Sequence, residues 1–201
     1  MQLEEIRNNE INLETKNISD EDKINHKVPE NYPRYLTIES ANIDKARIME
    51  LGVLNSDSAD SQQLDAPKNI HDAGWYNCQI NPLTERKCSQ PKLPGDGNIS
   101  RAAILDGHSC TNHTCIFDEL ANLKLGDKII IERGNGSKLN YSVRKAQTVK
   151  LSEVDMSKMM HSVESSKEGL NLITCAGNWT TEDNQGLPTM DHRVMVFAVL
   201  D

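Results

Sequence analysis

Leu172-Ile173-Thr174-Cys175 and Asp191-His192-Arg193-Val194-Met195-Val196-Phe197-Ala198 are the two stretches on which the reading of the fold turns. Each is a short run rich in β-branched and apolar residues, the pattern of a strand with at least one buried face. The first ends on a thiol and the second opens on a guanidinium. As neighbours in a sheet, they bring both groups to one cleft. Upstream, Ala103-Ile104-Leu105-Asp106-Gly107-His108-Ser109 is an apolar run that ends on a histidine. Cysteine, histidine and arginine at strand ends are the parts of covalent acyl transfer. The thiolate attacks, the imidazole moves protons and the cation holds the developing oxyanion.

Outward from these stretches the chain is mostly short strands. Tyr35-Leu36-Thr37-Ile38 and Ala46 to Leu51 read as strands around a turn at Asn42-Ile43-Asp44. Lys128 to Glu132 and Leu139 to Val143 flank Gly134-Asn135-Gly136-Ser137 and read as a hairpin. Ala146 to Leu151 continues as a strand. Ile116, Leu120 and Leu123 share a helical face, stopped by Gly126-Asp127. A short helix is expected within residues 152 to 166, which hold three methionines. Gly74-Trp75-Tyr76 reads as a core or sheet-edge contact. The Asp- and Ser-rich residues 55 to 70 and the stretch from Asn77 to Gly97 read as loops. Many short strands with little helix predict an all-β fold, a closed barrel with a few short helices.

The chain has 201 residues, which suits one domain and a tail. Residues 1–31 are polar and read as an N-terminal linker or appendage, with scattered isoleucines and leucines that can support a short amphipathic helix. Residues 32–201 form the barrel domain. A net charge of -8 argues against nucleic acid as a partner, because phosphate binding needs a basic face. No run approaches the ~18 apolar residues of a membrane span, and no signal-peptide pattern is present.

The five cysteines are Cys78, Cys88, Cys110, Cys115 and Cys175. Four fall in two close pairs in loop-like stretches and the last stands alone in a strand. Two local disulfides with one reactive thiol fit this spacing, and so do five free thiols. His108-Ser109-Cys110-Thr111-Asn112-His113-Thr114-Cys115 also alternates His and Cys closely enough for zinc. In that case His108 is a ligand and not a proton carrier. So short a loop struggles to spread four ligand directions, which favours a Cys110–Cys115 disulfide beside His108.

The order of these parts resembles the sortases, cysteine transpeptidases of the bacterial cell surface. The resemblance runs from Tyr32 to Leu200 through Gly107-His108-Ser109, Phe117-x-x-Leu120, Leu125-Gly126-Asp127, Tyr141-x-Val143, Leu172-Ile173-Thr174-Cys175 and Arg193-Val194. It implies an eight-stranded sortase-type barrel. By this resemblance Cys175 is the nucleophile, His108 the general acid and Arg193 the oxyanion partner. Thr174, Ala176 and Gly177 are expected to contact the substrate, and loops 152 to 169 and 177 to 190 to line its groove. The implied substrate is a C-terminal Leu-Pro-x-Thr-Gly-like sorting signal, cut after Thr. The implied acceptor is an amine of a peptidoglycan precursor or a pilin. The resemblance also implies the outer face of the bacterial membrane, reached through an N-terminal anchor ahead of the barrel. That oxidising compartment favours the disulfides, Cys78–Cys88 among them. No cofactor is expected, since neither Zn²⁺ nor Ca²⁺ is supported by a ligand pattern.

Taken singly, each residue has an ordinary explanation. Cysteine is among the residues most often simply buried, a lone histidine is usually on the surface, and a strand arginine commonly pairs with a surface acid. The alternative function is therefore a non-catalytic barrel, stabilised by zinc or disulfides, that binds or assembles surface proteins.

Overall fold

Alternation of buried and exposed positions along eight strands among the described residues builds the architecture. The computed structural model describes residues 13–54, 63–64, 66–77, 92–180 and 189–201. The strands are β1 (Pro33–Ile38), β2 (Ile43–Leu51), β3 (Val53–Leu54), β4 (Gln63–Leu64), β5 (Ala73–Tyr76), β6 (Ala102–Gly107), β7 (Lys128–Arg133), β8 (Lys138–Lys150), β9 (Gly169–Thr180) and β10 (Thr189–Leu200). Eight of them close into a barrel in the order β1-β2-β5-β6-β9-β10-β8-β7, while β3 and β4 pair on their own. Closure is made where Leu36 of β1 faces Ile131 of β7. The expected all-β fold, a closed barrel of eight strands, is the observed fold.

The barrel interior takes every second side chain. Leu36, Ile38, Ile48, Trp75, Leu105, Ile129, Ile131, Tyr141, Val143, Leu170, Leu172, Val194 and Val196 form one buried cluster. Phe117, Leu120 and Leu123 close it at one end. At roughly 1.5–3 kcal/mol for each large side chain buried, this cluster is the main stabilising term. A second cluster lies on the outer face: Ile104, Ile173, Met195 and Phe197, covered by Met159. The strands β6, β9 and β10 are therefore apolar on both faces.

Several local expectations change. Ile116 to Leu123 is not an α-helix but a run of turns with one 3-10 turn at Leu120–Asn122. Its first amides are used elsewhere: Ile116 N–H donates to the Ile70 carbonyl and Phe117 N–H to that of His108. The helical spacing arose because the apolar residues close the barrel end. The strand expected at 146–151 is continuous with the hairpin arm, and β8 pairs with β7 over residues 138–142 and with β10 over residues 141–150. Strands β9 and β10 run past their expected limits, so Cys175 lies within a long hairpin and not where a strand runs out. The hairpin at Gly134–Ser137 and a short helix, Met156–Met159, form as expected.

Residues 13–31 lie against the barrel. Glu14 bridges Asn69, and the Asn69 side chain donates to the Lys16 carbonyl at 2.9 Å. The helix Asp20–Asn25 is capped by Ser19 and Asp22. His26 Nε2 then meets the Ile48 carbonyl at 3.0 Å, and Arg34 Nε donates to the His26 carbonyl at 2.7 Å.

A buried ion pair holds the other end of the barrel. Glu168, just before β9, accepts from Lys92 Nζ at 2.7 Å, from Gly95 N–H at 3.0 Å and from Gly97 N–H. Both side chains are almost fully buried. Removing one partner of such a pair leaves an uncompensated buried charge. Glu168→Ala should therefore cost about 3–5 kcal/mol, measured as a lower urea midpoint. An unchanged midpoint would show that the 92–98 segment is not anchored by this carboxylate.

Candidate active site

Strand register places the candidate residues. On β9 and β10, Cys175 is directly opposite Arg193, Ile173 opposite Met195, and Asn171 opposite Phe197. On the other side of β9, parallel β6 places Asp106 beside Ile173 and Ile104 beside Asn171. The β6–β9 pairing ends at Asp106 and Ile173, and His108 lies just past the end of β6, on the side of β9 away from β10. Ile104, Ile173, Met195 and Phe197 all belong to the outer cluster, which fixes the face. The outer surface of the sheet is thus a grid of rungs: Cys175 and Arg193, with His108 just past the end of β6; then Asp106, Ile173 and Met195; then Ile104, Asn171 and Phe197.

The connection between β8 and β9 roofs the lower rungs. Asn171 Nδ2 donates to the carbonyls of Met159 at 2.9 Å and His161 at 3.0 Å. Ala102 N–H donates to the Met160 carbonyl at 3.0 Å. These bonds hold the short helix Met156–Met159 over the sheet, with Val154, Met156 and Met160 packed around it. Of the expected loop walls, 152 to 169 takes this place. In the other, residues 181–188 lie outside the described part of the chain, and so do Cys78 and Cys88.

Each member of the first rung is positioned by bonds of its own. Gly107 allows Phe117 to pack underneath, since a Cβ there would lie 2.6 Å from the phenyl ring. The His108 carbonyl accepts from Phe117 N–H at 3.0 Å. His108 Nε2 lies 2.6 Å from the Pro67 carbonyl. A carbonyl only accepts, so Nε2 carries the hydrogen in this contact and Nδ1 is the ring nitrogen left with a lone pair when the imidazole is neutral. Asp118 caps the following loop by accepting from Cys110 N–H at 2.8 Å and Cys115 N–H at 2.7 Å. Cys110 and Cys115 form a disulfide, so their sulfurs are not a pair of thiolate ligands for zinc. Among the described residues no three His, Cys, Asp or Glu side chains converge as a metal site.

Arg193 is held by its own strand. Nη1 donates to the carbonyls of Met190 at 2.7 Å and His192 at 2.8 Å. Nη2 donates to Thr189 Oγ1 at 2.9 Å. Three of the five guanidinium N–H groups are thereby fixed, which sets the plane of the fork. The Cys175 sulfur is a free, half-buried thiol. Burial pushes its pKa up, the Arg193 charge pulls it down, and the Asp106 carboxylate pushes it up again.

Thr174, Ala176 and Gly177 were expected to contact the substrate. Thr174 turns the other way: it is buried, and its hydroxyl donates to the Gly107 carbonyl at 2.7 Å. It ties β9 to β6 and so fixes Cys175 relative to His108. Ala176 packs against the barrel interior. Gly177 adopts φ +88° at a register shift where β9 carries one residue more than β10. This is a bulge that calls for glycine at the left-handed position. A Cβ there would lie 2.0 Å from Asp191 Oδ1, the atom that accepts from Asn178 N–H at 2.8 Å. A residue that sequence reasoning passed over is Asp106, whose charge acts on the Cys175 thiol. Its signal was available, since it stands two residues before His108 on an alternating strand.

A cavity of about 510 Å³ lies elsewhere, between the N-terminal segment and the barrel, lined by Ile18, Lys23, Ile43, His71 and Ile116 among others. None of the first-rung residues borders it.

The model of the family described as "Sortase domain" matches residues 36–201. Among solved structures, sortase C-1 from Actinomyces oris is similar at 18% identity and a TM-score of 0.54, covering 97% of this chain and 93% of that one. Sortase C from Streptococcus pneumoniae, whose structure is described as bearing on pilin substrate specificity, is similar at 16% identity and a TM-score of 0.52, covering 94% and 74%. The lid mutant of Streptococcus agalactiae sortase C1 is similar at 15% identity and a TM-score of 0.53, covering 92% and 76%. No curated protein matches this sequence. At these identities the solved structures speak to the fold, but the family model spans most of the sequence. The chain belongs to the sortase family.

Proposed function

We propose that this chain is a cysteine transpeptidase that cleaves a Leu-Pro-x-Thr-Gly-like sorting signal between Thr and Gly. It keeps the N-terminal part as a thioester and passes it to an amine of a peptidoglycan precursor or a pilin. The observation that carries this reading is Cys175 on β9 directly opposite Arg193 on β10, with His108 just past the end of β6, the strand on the other side of β9. A peptide carbonyl laid across the rung meets the sulfur on one side and the guanidinium on the other. Cys175 attacks the carbonyl carbon. The Nε–H and the remaining Nη2–H of Arg193 hold the oxyanion, a role suited to a planar, always-charged fork. His108 gives its proton to the leaving amine as the C–N bond breaks. The incoming amine then attacks the thioester, its proton passes to His108, and the sulfur leaves as thiolate. Side chains alone supply this chemistry. Gly177, two positions past the nucleophile, borders the route by which the substrate enters. The work is done at the outer face of the cell membrane, on surface proteins that carry the signal.

The deciding test is intact mass spectrometry after incubation with Leu-Pro-x-Thr-Gly peptides, with and without an amine acceptor. The wild type should gain a thioester adduct, and Cys175→Ala should gain none. Arg193→Ala should slow adduct formation by roughly 10²–10³, the usual loss for one oxyanion donor. An adduct that survives Cys175→Ala would sink the assignment.

The thiol also predicts a pH profile. With its pKa raised by burial, Cys175 is less ionised at neutral pH than a free cysteine. Its alkylation rate by iodoacetamide should keep rising above the pH at which a free thiol levels off. Arg193→Gln removes the group that pulls the pKa down and should move the curve further towards high pH. A curve at or below that of free cysteine would contradict this.

A further inference from the structure

The second rung of the outer face carries Asp106 where its neighbours are Ile173 and Met195. A carboxylate is an odd choice beside a nucleophilic thiol, because it opposes thiolate formation. The Asp106 charge pushes the Cys175 pKa up while Arg193 pulls it down. Its carboxylate is held locally: Gly107 N–H donates to Asp106 Oδ1 at 2.8 Å. The side chain is half-buried on the groove face.

We infer that Asp106 is a specificity-determining residue, the group that draws the cationic acceptor amine to the thioester. This rests on the transpeptidase reading. Arg193 and His108 lie on opposite sides of Cys175, so the oxyanion faces β10 and the amine that leaves or enters faces β6. Asp106 stands on β6, two residues from His108, and is therefore on the amine side. The charge balance changes during the cycle. Once Cys175 is acylated, its sulfur carries no charge, and His108 has given its proton to the leaving amine. The Asp106 carboxylate then stands on the amine side of a neutral base. An alkylammonium is attracted to that spot and water is not. The ammonium loses one proton to water on docking. The neutral nitrogen forms its bond to the thioester carbon and passes its second proton to His108 as the C–S bond breaks. The carboxylate thus biases the acyl-enzyme towards aminolysis over hydrolysis.

The test uses a peptide p-nitrophenyl ester, whose leaving group needs no protonation, to acylate Cys175. Only the fraction absent from Cys175→Ala is scored. Partition of the acyl-enzyme between water and acceptor is read with N-acetyl-lysine amide, which is charged at neutral pH, and with hydroxylamine, which is mostly uncharged. Asp106→Asn should lower the aminolysis-to-hydrolysis ratio for the lysine acceptor about five- to tenfold, through KM more than kcat. It should leave the hydroxylamine ratio within about twofold, and Asp106→Glu should restore most of the lysine reaction. An unchanged lysine ratio overturns the inference. An equal loss with both nucleophiles also overturns it, because that is the mark of a merely structural role. Absence of any Cys175-dependent acyl-enzyme in the wild type would instead sink the transpeptidase reading, and this inference with it.

Discussion

The pairing of β6 with β9 and of β9 with β10 is the constraint from which the site follows. These strands are apolar on both faces, one set of side chains filling the barrel and the other meeting the short helix Met156–Met159. Side chains alternate along a strand, so a slip of one residue would send Cys175 into the core and Thr174 to the surface. Burial on both faces makes such a slip costly. The Thr174 hydroxyl adds a bond across to the Gly107 carbonyl. A polar site built of three residues from distant parts of the sequence is thus located by hydrophobic packing, not by contacts among its own members.

Around that register the surroundings are unequal. Arg193 is fixed by carbonyls and a hydroxyl of its own strand, which costs the site no mobile partner. His108 is fixed by the Pro67 carbonyl and by the loop that the Cys110–Cys115 disulfide and Asp118 brace. Cys175 lies between a cation on β10 and an anion on β6. Burial raises the pKa of this thiol, which makes it less readily ionised and less prone to oxidation than an exposed cysteine. The bulge at Gly177 bends β9 just past the sulfur, a common device beside active sites for re-aiming a strand.

The N-terminal residues 13–31 contribute to the same end of the barrel. Through Glu14 and Asn69 they hold the 66–72 stretch, and that stretch supplies the carbonyl facing His108. Asp72 in the same stretch receives both Arg47 nitrogens, at 2.9 and 2.7 Å. The polar composition that made this segment read as a linker or appendage is also that of a segment whose backbone and side chains bond to loop carbonyls.

By itself the sequence determined the all-β class, the hairpin around Gly134–Ser137, the two strands that carry Cys175 and Arg193, and the strand that delivers His108. These signals are local: alternation, β-branched runs and glycine at turns. It also carried the family resemblance, through the order of motifs. What it did not show is which face each residue takes and where each strand stops. Ile116 to Leu123 has helical spacing, yet its amides bond to Ile70 and His108 and the segment turns instead. Thr174 and Cys175 are adjacent in sequence and belong to opposite sides of the sheet. The meaning of Asp106 depended on β6 lying beside β9 in parallel, a pairing between segments far apart in the chain. Only the tertiary structure decided these points, because they follow from the non-local register of the barrel and from the burial of both faces of its central strands.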